Sequence, residues 1–252
     1  MDNDLEYSHA GKAASYDIGR PDYPDAFFDY FLYELSSVER PVVADIGAGA
    51  GKNTKTLLNR GCPVYAVEPD AGMSAVLKIK LNGYADCIIT DGRAEHTGIP
   101  DGAADIIFCG NSYHWFDRRR TVPEFRRILK NPDGAANVMI TTLGPAEAND
   151  IPPHKKFSDT QKKPTRAVAN HSEPFRGGAY EIKTFVFTVC ESFEKYLHGN
   201  LSASRSPAPG DARYNEYAAA LKSYFDERSR GGVYEAKFIL KCIAGSVRDL
   251  AL

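Results

Sequence analysis

No apolar run in this chain reaches the roughly 20 residues that a bilayer-spanning helix needs, so no membrane partner is expected. Cysteine is scarce and scattered. The five present (Cys62, Cys87, Cys109, Cys190, Cys242) are an odd number with no CxxC pair, which excludes a zinc-finger spacing and a disulfide framework and leaves reduced thiols as the expectation. The six histidines and the carboxylates show no metal-ligand spacing, and no metal is expected. A strong charge of one sign is missing as well. The net charge of −2 and a pI near 6.3 leave no broad basic surface for nucleic acid. The opening residues, MDNDLEYSHAGK, are polar and acidic without the apolar core of a signal peptide, so a cytoplasmic location is expected.

What remains is the composition of an ordinary globular domain, 43% hydrophobic and 25% charged over 252 residues. Phe27, Phe31 and Leu35 recur at helical spacing and predict a helix over 24–37, with Pro21 and Pro24 before it. Short apolar runs then predict strands over 42–46, 63–67, 87–90, 104–109 and 135–141. They alternate with helices over 52–60, 71–81 and 122–130. Such alternation specifies an α/β fold of Rossmann-like type, a mostly parallel sheet with helices on both faces. Two late strands, 182–189 and 237–243, are expected to join it, with a helical lid or insertion (192–198 and 213–228) between them. The expected organisation is one domain over 1–252. Residues 1–40 form an N-terminal helical cover and 41–143 a ligand-binding core. Residues 144–180 form a flexible insertion, and 181–252 the late strands with their helices. Residues 151–180 carry six lysines and arginines against two acids, a local net charge of +4.

Ligands in such sheets bind beyond the carboxyl ends of the strands, and four motifs fall there. The first is Asp45-Ile46-Gly47-Ala48-Gly49-Ala50-Gly51, where glycines allow a tight turn, close backbone approach and free N–H groups at a helix start. Its GxGxG spacing differs from the GxGxxG of nicotinamide-dependent dehydrogenases and disfavours an oxidoreductase. Lys52-Asn53 after Gly51 excludes a P-loop. The second is Glu68-Pro69-Asp70, with Glu68 seventeen residues after Gly51, placing a carboxylate where it can accept from ribose hydroxyls. The third is Asp91-Gly92-Arg93-Ala94-Glu95. The fourth runs from Ala104 through Asn111 to His114-Trp115-Phe116-Asp117.

In this order the motifs resemble the class I S-adenosylmethionine-dependent methyltransferases, in particular the small-molecule, trans-aconitate methyltransferase-like (methyltransferase type 11) subgroup. Ala14-x-Tyr16-x-x-x-Arg20-Pro21-x-Tyr23-Pro24 and His114-Trp115-Phe116-Asp117 match that subgroup's segments, and the likeness spans about residues 10–143. The resemblance implies S-adenosyl-L-methionine as cofactor. It places Asp45, Gly47, Ala48 and Gly49 along the methionine moiety, Glu68 with Pro69 at the ribose, and Met73 on the adenine. Ala94 and Glu95 meet the adenine edge, Asn111 lies beside the sulfonium, and Tyr16 and Arg20 close over the cofactor. Arg93 departs from the pattern. It stands where relatives carry a small polar or acidic residue, and arginine has no acceptor for an adenine amino group, so that contact falls to Asp91 or Glu95.

A sulfonium methyl is already activated, so the protein's task is to align the acceptor and exclude water. An acceptor carboxylate or thiolate needs no base, whereas a hydroxyl or protonated amine does. His114 is the candidate base, with a pocket-shaping role for His114 and Trp115 as the alternative. The expected function is methyl transfer to oxygen or nitrogen of a small, acidic acceptor, because the covers around Arg20 and 151–180 are basic. Methylation of a protein or RNA is the alternative reading, and a catalytically silent cofactor-binding homologue is another. A monomer or homodimer is expected, and Arg118 is expected at the surface.

Overall fold

Apolar runs of four or five residues form the central strands, which are buried on both faces. Every residue of β1 (Val43–Ile46) is buried, as are the first four of the fourth strand, β4 (Ile106–Gly110). β1 pairs in parallel with β2 (Val64–Val67) on one side and β4 on the other. β3 (Cys87–Thr90) lies beyond β2, and β5 (Val138–Pro145) lies beyond β4. The order is completed by β7 (Tyr234–Gly245), antiparallel between β5 and the edge strand β6 (Tyr180–Glu191), which gives β3-β2-β1-β4-β5-β7-β6. The expected mostly parallel, Rossmann-like sheet is therefore present. It differs from the all-parallel dinucleotide-binding order by the antiparallel β7. The computed structural model describes residues 12–146, 174–177, 180–203, 206–207 and 209–251.

Alternation along the strands divides the core. Val43, Val64 and Phe108 face α2 (Asp25–Asp29) with its wider π-helical continuation (Tyr30–Leu35), α3 (Lys52–Asn59) and α4 (Ala71–Lys80). Ala44, Ile46 and Ile107 face α5 (Arg118–Ile128). The expected helix over 24–37 is thus present but widens at Tyr30, where Tyr30, Phe31 and Leu32 are buried in succession. A smaller apolar cluster (Tyr196, Leu221, Phe225, Tyr234) joins α6 (Phe193–Leu201), α7 (Tyr214–Arg228) and the start of β7.

Three expectations shift. The helix expected from 122 begins at Arg118, because Arg118, Thr121, Phe125 and Ile128 form one buried stripe that outweighs the backbone bond lost at Pro123. Arg118 is accordingly 7% exposed, its guanidinium 5.3 Å over the Tyr113 ring, and is not a surface residue. β5 runs on to Pro145, because Thr141 to Pro145 pair with β7. The insertion expected over 144–180 therefore starts later, and its Phe175 is a core residue bridging to Leu250. Most of the +4 segment lies outside the described residues.

The N-terminal cover is the helix α1 (Ala13–Gly19), and it is bonded to α6. Lys12 Nζ donates to the carbonyls of Ala203 (2.8 Å) and Ser206 (2.9 Å) just past the end of α6. The His198 Nδ1 and Ser15 Oγ atoms are 3.0 Å apart. At Gly19 the helices nearly touch backbone to backbone: a Cβ there would stand 1.9 Å from the Gly199 nitrogen. Lys80 and Asp17 form an ion pair that anchors α1 to α4 as well.

Candidate functional site

The loop after β1 is built by conformation. Gly47, Gly49 and Gly51 all take left-handed φ values (78°, 58° and 79°), where other residues are strained. Space excludes a side chain at Gly47 too, since a Cβ there would lie 2.6 Å from Ser112 Cβ. At Gly49 a Cβ would meet only Tyr16 Cε1, at an ordinary 3.6 Å, so there the backbone angle is what demands glycine. The N–H groups of Gly47 and Ala48 donate to the Val67 carbonyl, fastening the loop to β2.

Two carboxyl groups stand at this loop. Glu68, 7% exposed, accepts from the N–H of Gly49 (2.7 Å) and of Asp70 (2.9 Å). Burial raises its pKa, against the lowering effect of those two bonds. Asp45 is fully buried and accepts from Thr54 Oγ1 at 2.6 Å. Burial drives its pKa up to about 7, the Thr54 bond opposing and the Glu68 charge adding. An unfolded aspartate titrates near 4, so across about pH 4–7 the folded chain holds a proton that the unfolded chain has released. Stability should therefore fall as pH rises through that window, by up to roughly 1.4 kcal/mol per pH unit from this group. Asp45→Asn should flatten the slope. Urea denaturation of the ligand-free protein at several pH values checks it, and identical slopes for the two proteins would refute the buried protonated aspartate.

A cleft opens at the carboxyl ends of β1 and β4. Tyr16 and Arg20 from the cover, Asp45, Gly47 and Ala48 from the first motif, and Asn111 from the end of β4 all frame it. Tyr23, Lys52, Asn53, Gly110 and Leu143 also line it. Asn111 has φ 57°, the only positive φ outside glycine among the described residues, and its N–H donates to the Thr141 carbonyl. Asparagine is the residue other than glycine that best tolerates this conformation, and here it turns the chain at the strand end. The cleft offers about 40 Å³, space for a few waters. Burial raises the Tyr16 pKa, Arg20 opposing and Glu68 and Asp45 adding. The Arg20 Nε atom is buried without a hydrogen-bond partner, and its guanidinium lies 5.1 Å over the Tyr16 ring.

The remaining expected residues lie apart from this wall. Pro69 is exposed, and Met73 is buried against Ala13 and Ala50, beneath α1. Ala94 is buried in the core on the α5 side, and Glu95 accepts from the Asp117 N–H (2.7 Å). Asp91 is engaged by Ser74 (2.6 Å) and Lys78 (2.8 Å), and the Lys78 bond holds its pKa below the usual range. His114 does not frame the cleft. The left-handed turn at Asn111 leads into a short 3-10 turn (Tyr113–Trp115), where the His114 ring packs 4.9 Å from that of Trp115. Tyr23 and Asn53 line the cleft without a site expectation from the sequence; the signal for Asn53 is its place two residues past the last loop glycine. Tyr23 reaches the cleft through a fold-dependent bond to Thr141 (2.9 Å). Among the described residues no group of three or more His, Cys, Asp or Glu is gathered as a metal site, and no helix is long and apolar enough to cross a membrane.

Residues 44–136 match the family described as "Methyltransferase domain". An uncharacterized methyltransferase of Mycobacterium tuberculosis is 33% identical over 139 residues, 55% of this chain and 54% of the relative. Another from Schizosaccharomyces pombe is 29% identical over 186 residues, 71% of each chain. The chain spans about half the length of the mycobacterial relatives it matches. Among solved structures, a candidate type II methyltransferase from Anaeromyxobacter dehalogenans superposes with a TM-score of 0.60 at 20% identity, covering 90% of this chain and 98% of the other. A candidate methyltransferase from an antibiotic biosynthesis pathway of Anabaena variabilis gives 0.54 at 18%, covering 88% and 98%. At these identities the structures attest the fold.

Proposed function

We propose that this chain is a class I S-adenosylmethionine-dependent methyltransferase and that it transfers the methyl group to a small acidic acceptor, at a carboxylate oxygen. The observation that carries the reading is the convergence of Asp45, the left-handed glycine loop, Asn111 and Arg20 on one cleft at the carboxyl ends of β1 and β4, with Glu68 bonded to that loop.

The residues fit the cofactor. Asp45 offers a buried carboxyl to a cationic methionine moiety, and Glu68 keeps acceptor capacity for ribose hydroxyls beyond its two backbone bonds. The buried, unpartnered Arg20 Nε suits a carboxylate, of cofactor or acceptor. When bound, the cofactor supplies a methyl group activated by a sulfonium. This chain's residues then position the acceptor and exclude water, which the cover of Tyr16 and Arg20 is placed to do.

The acceptor class follows from what frames the cleft. Among the described residues there it has no histidine, its carboxyl, Asp45, is buried, engaged by Thr54 (2.6 Å) and assigned to the cofactor, and its lysine, Lys52, is held by the Arg20 carbonyl (2.7 Å) and Asp22 (3.0 Å). The Tyr23 hydroxyl is bonded to Thr141, and burial raises its pKa, so it is a poor base. An acceptor that arrives already anionic needs no base and has Arg20 to meet it.

S-adenosylmethionine and its demethylated product should bind in calorimetry while NAD does not. Methyl-labelled cofactor should yield a labelled ester from a metabolite extract. Arg20→Ala should lower turnover at least about tenfold, the equivalent of one charge-assisted bond. Arg119→Ala on the exposed side of α5 should leave it unchanged, whereas buried Arg118 is no control. Binding of NAD in preference to S-adenosylmethionine would refute the reading, and equal turnover in both arginine variants would remove Arg20 from it.

A further inference from the structure

Gly110, the last residue of β4, has no left-handed φ, but its bare backbone lies against side chains. A Cβ there would lie 2.9 Å from Asn53 Nδ2 and 3.0 Å from the Phe108 ring. The bare backbone at the strand end thus makes room for the carboxamide of Asn53. That side chain stands on the second residue of α3, is half-buried, and lines the cleft. No described residue hydrogen-bonds it. Its amide is therefore open to solvent and available to a ligand that enters the cleft.

The neighbouring donor is more enclosed. Arg20 lines the cleft with its Nε buried and unpartnered. Lys52, the residue before Asn53, donates to the Arg20 carbonyl at 2.7 Å and so ties the cover to the start of α3. Two donors, a charged one that is buried and unpartnered and a neutral one open to the cleft, therefore line the same wall where β4 ends at Gly110 and the left-handed Asn111.

We propose that Asn53 holds the acceptor, donating from Nδ2 to one oxygen of its carboxylate while Arg20 pairs with the group's charge, which leaves the other oxygen free to attack. This rests on the methyltransferase reading above. The attacking oxygen supplies the electron pair of the new C–O bond, the S–CH3 pair returns to sulfur, and no proton moves. Asn53 is thereby an acceptor-binding residue that aligns the nucleophile without acting as an acid or base. A neutral amide suits this place because it donates to an anion without binding the product ester as tightly as a second cation would the acid.

The test uses protein loaded with S-adenosylhomocysteine and titrated with acetate, succinate, glutarate and benzoate. Methyl-labelled ester formation from the same four acids is followed with S-adenosylmethionine. Wild type should show saturable binding and labelled ester with at least one of them. Asn53→Leu, of similar size, should weaken that acid about tenfold in Kd and KM. Asn53→Asp, which places a like charge against the acceptor, should weaken it about a hundredfold or more. Asn53→Gln should recover part of the loss. S-adenosylhomocysteine affinity should stay within about twofold in all three, which separates an acceptor role from a disturbed loop. Acid affinity equal to wild type in a folded Asn53→Asp protein overturns the proposal. So does the absence of acid binding and ester in wild type that still binds S-adenosylhomocysteine, an outcome that leaves the methyltransferase reading standing. If wild type fails to bind S-adenosylhomocysteine at all, both fall together.

Discussion

Glu68→Ala should weaken S-adenosylhomocysteine binding about ten- to hundredfold, the loss expected when charge-assisted hydrogen bonds of about 1.5–3 kcal/mol are removed. Two effects add. The carboxylate would no longer accept from ribose hydroxyls, and the N–H groups of Gly49 and Asp70, now satisfied at 2.7 and 2.9 Å, would be left to water. Because Gly49 sits at φ 58° in the loop that frames the cleft, freeing its N–H also loosens the turn. Glu68→Gln separates the two contributions. It keeps an acceptor oxygen for one backbone N–H but loses the charge, so its affinity should fall between wild type and Ala. Calorimetry measures the affinities, and thermal unfolding without ligand reports the loop alone. A folded Glu68→Ala protein with wild-type affinity would take Glu68 out of the site.

Gly19→Val should detach the cover. A Cβ at Gly19 falls 1.9 Å from the Gly199 nitrogen and 2.2 Å from the His198 carbonyl carbon, both backbone atoms of α6 that cannot turn aside as a side chain can. Overpacking of this kind costs about 1–3 kcal/mol, and the easiest relief is for α1 to leave α6. Its other attachments, the Lys12 bonds to Ala203 and Ser206, the Ser15–His198 pair and the Asp17–Lys80 ion pair, would be strained or broken with it. Since α1 carries Tyr16 over the glycine loop, S-adenosylhomocysteine should then dissociate at least about tenfold faster, with turnover reduced in proportion. Hydrogen exchange over residues 13–19 should rise, while exchange in β1 and β4 stays slow. Gly144→Ala is the control, because a Cβ there meets nothing within 4 Å. If α1 exchanges in the variant as it does in wild type and the ligand leaves at the same rate, the contact between α1 and α6 does not govern the cleft.

The amino-acid sequence alone determined the parts of this protein whose physical cause is local. Three left-handed turns within five residues demand Gly47, Gly49 and Gly51, and burial on both faces demands the apolar runs of β1 and β4, so the loop, the strands and the carboxylates at their ends were legible residue by residue. Helices whose apolar stripe is uninterrupted, such as α4, were legible as well, whereas α5 was read four residues short because Pro123 looks like a start until burial of Arg118 and Thr121 is known. Tertiary structure decided the rest, because those features are contacts between residues far apart in the chain that leave no period or spacing behind. The placing of β7 between β5 and β6 pairs Val138 with Gly245 across more than a hundred residues. The bare backbone of Gly110 has meaning only beside Asn53, and Gly19 only beside Gly199. His114, close in sequence to Asn111, is not part of the cleft wall, because after one left-handed residue the chain runs into a short 3-10 turn that packs His114 against Trp115. Local propensity is written in neighbouring residues, but which donors meet in one cleft depends on how the sheet brings strand ends together, and that is a property of the packed chain.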